Sequence, residues 1–221
     1  MAKLLNDKMS SQVHINNSNR HTRLCKQTKG AEGLAEAIAP KIIVLKEKRD
    51  ETDKKRELYD AAHDDLMLRD AVLDDSIRNV ADVAKQYDRN NPGRPVFTML
   101  FPDGKYSDIV RAPFAKEVDK ANQIAERIKA LGEEHVLAVQ YAPLTRAIAE
   151  VRTAISNKQQ AKTNVEMAVA NEGLAQADLR KQYEFNYLDA VKLFGRKYAD
   201  RLFPRTVSKA KVEEEVVAPE V

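Results

Sequence analysis

Tryptophan is absent from this 221-residue chain, cysteine occurs once, and glycine occurs only seven times. A single cysteine, Cys25, rules out an intrachain disulfide, which agrees with a reducing compartment. One cysteine and four histidines are too few for the usual zinc cluster. The scattered glycines form neither a phosphate-cradling loop nor a dinucleotide-binding fingerprint. No stretch reaches the roughly 20 apolar residues that a membrane span needs. Residues 1–19 also lack the apolar run of a secretory signal. These absences point away from an enzyme, and no cofactor or metal is expected.

What the chain has instead is charge, on 32% of its residues. A charge-rich, glycine-poor sequence suits long amphipathic helices, because each needs only a narrow apolar stripe. The predicted organising element is a first long helix over residues 31–90, kinked at Pro40. Its second half carries Leu66, Leu73, Ile77, Val80 and Ala84 at spacings of three, four and seven, as a helical seam requires. Residues 113–203 read as a shorter helix stopped by Gly132, then a second long helix from Leu144 to about Leu202. Each long helix is polar in its middle, over residues 46–57 and 156–164. In the first of these, Asp50 with Lys54 and Glu51 with Lys55 lie four apart, acid first; each pair supports a helix by about 0.2–0.5 kcal/mol. The matching interruptions predict that the two helices lie side by side. The expected fold is mostly α: an elongated antiparallel helical hairpin or coiled-coil bundle, with a small β-hairpin insertion and extended termini.

The hairpin is expected over residues 91–112. Pro92, Gly93 and Pro95 end the first helix, and two β-prone runs, 96–101 and 105–110, flank a Pro102-Asp103-Gly104 turn. Residues 1–30 show no apolar helical period and read as a polar, basic arm. Residues 204–221 read as a charged tail ending in an acidic stretch.

Two groups of residues stand out for recognition. Ile42, Ile43, Val44 and Leu45 cover more than one face of a helix, and Phe97, Leu100, Phe101, Tyr106 and Ile109 make the hairpin too apolar for water. With Phe194, Tyr198 and Leu202 on one helix face, these are the interface candidates. The second group is cationic: Arg20, Arg23, Lys26 and Lys29 in the arm, and Arg196, Lys197 and Arg201 beside the aromatic stripe. Cations interleaved with aromatics suit phosphate pairing and base stacking, but they also suit a helix C-terminus. A net charge of +3 does not favour nucleic acid over other partners. Asp60, His63 and Asp64 resemble only half of a two-metal bundle site, and a solvated helix face explains them better.

The overall plan resembles coiled-coil components of large assemblies, bacteriophage virions among them, in architecture and not in any motif. The surplus apolar surface of residues 42–45 and of the hairpin, more than one slender helical hairpin can bury, points to a non-enzymatic structural subunit that oligomerises through its helices and meets other assembly proteins through its arm, hairpin and tail. The lone cysteine and the missing secretory signal lead to an expected place in the cytoplasm or in an assembly built there, such as a virion. Two alternatives carry weight: a chaperone- or adaptor-like coiled coil, and a nucleic-acid-associated protein using the basic segments. The helix–hairpin–helix order is similar to prefoldin-like proteins, although this chain is longer and broken at Gly132 and Pro143.

Overall fold

The computed structural model describes residues 4–93 and 95–203. The chain is mostly helical: α1 is Ser11–Lys26, α2 Glu32–Asn90, α3 Val96–Leu100, α4 Ser107–Val110, α5 Phe114–Ala130, α6 Tyr141–Phe194 and α7 Arg196–Leu202, with a 3-10 turn at Val136–Gln140 before α6. The two long helices, α2 and α6, pack together as the matching polar interruptions predicted. Pro40 lies inside α2 without ending it. Pro143 falls in the first turn of α6, where its missing N–H removes no intrahelical bond.

The chain divides into two compact units, one of residues 1–53 and 167–221, the other of residues 54–166. In the first, Leu34, Ile38, Ile42 and Leu45 of α2 close on Ala175, Leu179, Tyr183 and Ala190 of α6. Lys41 pairs with Asp178 at 3.1 Å, and the Asn186 amide donates to the Leu34 carbonyl at 2.7 Å, so the helices run antiparallel. In the second, Leu66, Leu73 and Ile77 of α2 pack with Leu144, Ile148 and Val151 of α6 and with Val118, Ile124 and Ile128 of α5. Arg69 reaches Glu150 at 3.0 Å and Asn79 reaches Gln140 at 2.8 Å, again antiparallel.

Three expectations give way here. The β-hairpin is absent: no strand occurs among the described residues, and its two arms become α3 and α4. Side chains from elsewhere decide this. The Asp88 carboxylate accepts from the amides of Val96 at 2.7 Å and Phe97 at 3.0 Å, capping the start of α3. Arg127 donates to the Leu100 carbonyl at 2.8 Å and closes its end. The Lys85 ammonium then sits over the rings of Phe97 and Tyr106, at 5.1 and 4.9 Å, tying both short helices to α2.

Residues 11–26 are the second departure, forming a helix instead of an arm. Ser10 caps it by accepting from the Val13 amide, and its inward face is Ser11, His14, Ile15, Ser18, His21 and Cys25. That spacing is helical, but mostly polar residues carry it, so a hydrophobic pattern does not reveal it. Third, the second long helix stops at Phe194. Gly195 has φ of +75°, a conformation that glycine adopts without strain, and it starts α7 as a separate element. The tail from residue 204 falls outside the described residues.

Candidate functional site

In the unit of residues 1–53 and 167–221, α1 is seated by a buried polar knot. His21 donates from Nδ1 to the carbonyl of Leu202 at 3.0 Å, and its Nε2 accepts from the Asn186 amide at 3.0 Å. Asn186 in turn accepts from Gln182 at 2.9 Å. The imidazole lies against Phe203, with centroids 4.1 Å apart, and edge-on to Tyr183 at 5.4 Å. Four helices thus join one network: α1 through His21, α7 through Leu202 and α6 through Asn186 at the ring, and α2 through the Leu34 carbonyl that Asn186 also reaches. Burial pushes His21 down to about 4, which keeps it neutral, and the Leu202 carbonyl, which can only accept, places the ring proton on Nδ1. Cys25 is fully buried 3.6 Å from the same ring, and burial pushes its thiol up to about 11. A protonated, inaccessible thiol beside a neutral imidazole is a poor nucleophile. The knot is a fastening.

The other unit holds a second buried polar group. Glu117 of α5 is 1% exposed and faces Asp70 and Asp74 of α2. One oxygen on each of the three carboxyls is buried with no donor. Desolvation, reinforced by the two aspartates, pushes Glu117 up to about 9, so it holds a proton at neutral pH. That single proton gives the group one donor, enough for one of the facing aspartate oxygens. Among the described residues no group of three His, Cys, Asp or Glu has the arrangement for a metal ion, and this includes Asp60, His63 and Asp64. No helix among them is long and apolar enough to cross a membrane.

The predicted interface residues separate by burial. Ile42, Leu45, Leu100, Phe101 and Leu202 are buried in their own units, and Phe97, Tyr106, Ile109 and Phe194 are half-buried against the cores. Ile43, Val44 and Tyr198 remain exposed. The cationic candidates Arg20, Arg23, Lys26 and Lys29, with Arg196, Lys197 and Arg201, are all exposed. Packing of α1 on α7 gathers both sets into one unit, and the Arg201 guanidinium lies 5.7 Å from the Tyr198 ring.

Other exposed apolar side chains went unnoticed in the sequence. Leu174, Phe185 and Leu188 project from α6 in the first unit, and Leu58, Leu68 and Val72 from α2 in the second. Their signal is a second helical stripe, out of phase with the buried one and broken by charges. No family model matches the chain, and no curated protein or solved structure matches it either.

Proposed function

We propose that this protein is a non-enzymatic structural subunit that associates through the outer faces of its long helices, in a virion-like or comparable assembly. The observation that carries this reading is the set of large apolar side chains left in water on α2 and α6: Leu68 is 61% exposed, Leu174 69% and Leu188 54%. Single exposed leucines are ordinary, but repeated ones on a long helix mark a surface meant to be covered. The described surface concavities are shallow, and the two buried polar groups fasten helices to one another, which also supports a scaffold over a catalyst. Light scattering tests the reading. A mass above the 24.9 kDa monomer is expected; a stable monomer at micromolar concentration overturns it.

A second reading draws on the cations that α1 and α7 bring into one unit. Seven exposed Lys and Arg side chains there suit a polyanionic partner such as nucleic acid or an acidic protein surface. Binding to DNA or RNA that weakens steeply with salt, and weakens further when Arg20, Arg23, Arg196 and Arg201 become Ala, supports it. The chaperone-like reading loses its main support, because it leaned on a β-hairpin that is helical here.

A further inference from the structure

Within the unit of residues 54–166, α2 carries two stripes. The buried one runs through Leu66, Leu73 and Ile77. About a third of a turn away, Leu58, Ala61, Leu68 and Val72 face water, at 59% exposure for Leu58, 61% for Leu68 and 43% for Val72. Their spacing, with Asp65 between Ala61 and Leu68, is three, four, three and four, which is the seam of a coiled coil and not a scatter of surface residues. Continuing the same spacing outward places Lys54 at one end and Asp75 at the other.

We infer that this face of α2 is an interface with a second copy of the same chain, docked antiparallel about a two-fold axis near Asp65. This rests on the assembly reading above and names the partner for one of its faces. The ends of the stripe argue for it. Turned end over end, the stripe sets the Leu58 half of one copy against the Val72 half of the other, so each Lys54 meets the partner's Asp75. A parallel arrangement sets lysine against lysine and aspartate against aspartate, and like charges at that range oppose docking. Asp75 is 78% exposed even while it accepts from Arg78 at 2.8 Å, so it has acceptor capacity to spare. In the middle, Asp65 accepts from Arg69 at 3.1 Å, and Arg69 also holds Glu150 at 3.0 Å, so the central layer is polar, with its aspartate charge only partly offset. One polar layer in an otherwise apolar seam lowers stability and fixes register. Alongside, α6 contributes Ala142 and Ala149 to concavities of about 350 and 330 Å³ bordering Val72 and Asp65. Arg146 and Glu150 border both concavities and set a polar rim along the seam.

The test combines mass measurement with directed crosslinking, using the whole chain. Wild type is expected to weigh twice 24.9 kDa or a multiple of that. Leu68→Glu is expected to weaken self-association roughly tenfold or more, with unchanged helix content because the residue lies outside the core. Lys54→Glu and Asp75→Lys should each weaken association, and the double variant should restore it. Cys25 is buried, so introduced cysteines report alone. A mixture of Lys54→Cys and Asp75→Cys proteins should give the mixed disulfide in preference to either symmetric one. An oligomeric wild type whose mass ignores Leu68→Glu overturns this interface and leaves the assembly reading standing. Symmetric Lys54→Cys crosslinks overturn the antiparallel docking. A monomeric wild type overturns both.

Discussion

His21 donates to the carbonyl of Leu202 at 3.0 Å across a separation of 181 residues, fastening the first helix of the chain to the last described one. The bond sits in a sealed pocket of aromatic rings, where an unmet acceptor is expensive. His21→Ala therefore leaves the Leu202 carbonyl without its donor and the Asn186 amide with the Leu34 carbonyl alone. A loss of about 3 kcal/mol is expected in denaturant unfolding at pH 7.5, followed by helix content and by tyrosine fluorescence.

The same imidazole sets an acid limit. Its folded value, about 4, lies below the unfolded 6.5, so between those values the unfolded chain binds the extra proton. Stability contributed by the neutral ring is present above pH 6.5 and falls as pH drops toward 4, after which it levels. His14, also lowered by burial, acts in the same direction. Unfolding midpoints measured from pH 7.5 to 4 should fall, and His21→Ala should flatten most of that slope.

Glu117 sets the opposite limit. Its folded value, about 9, lies above the unfolded 4.5, so the folded state holds the extra proton between them. Stability from this site is present below pH 4.5 and declines as pH rises to 9. Glu117→Gln keeps a donor for Asp70 and Asp74 without a proton to lose. The variant is expected to unfold later than wild type at pH 8 and to show a flatter alkaline arm; an earlier midpoint at pH 8 counts against the protonated acid.

Cys25 offers a probe of opening. Fully buried and held protonated by burial, it should resist a maleimide reagent at pH 7.5 in the native protein. Denaturant, or His21→Ala, should expose it. Labelling of wild type as fast as a free thiol would contradict the seating of α1.

Asp88 is the test of α3. Replacing it with Ala removes both cap acceptors and should cost about 1–2 kcal/mol, with loss of hydrogen-exchange protection at the Val96 and Phe97 amides.

The long helices were legible because they bury apolar residues at helical spacing and break at matching positions. Gly132, with φ of +90°, ends its helix as predicted for the same local reason. What misled was chemistry supplied from a distance. Residues 96–110 have strand-like side chains around a turn signal, but Asp88, Arg127 and Lys85 lie outside the window and favour helix. Residues 11–26 bury serine and histidine, so their period is invisible to a hydrophobic count. Gly195 lies inside the span expected to be one helix, and its left-handed φ makes it an end. Burial divides the interface candidates for a related reason: Ile42, Leu45, Leu100, Phe101 and Leu202 pack within their own units, while Ile43, Val44 and Tyr198, like the charge-broken stripes, stay outside.

The capped α3 has a further consequence. Val96-Phe97-Thr98-Met99-Leu100-Phe101 is the sort of uncharged, aromatic segment from which fibrils nucleate. Clasped at its two ends by Asp88 and Arg127, it offers a passing chain no open row of amides to copy. Whatever loosens that clasp, such as heat or loss of the Asp88 carboxylate, frees a segment whose composition favours copying by other chains.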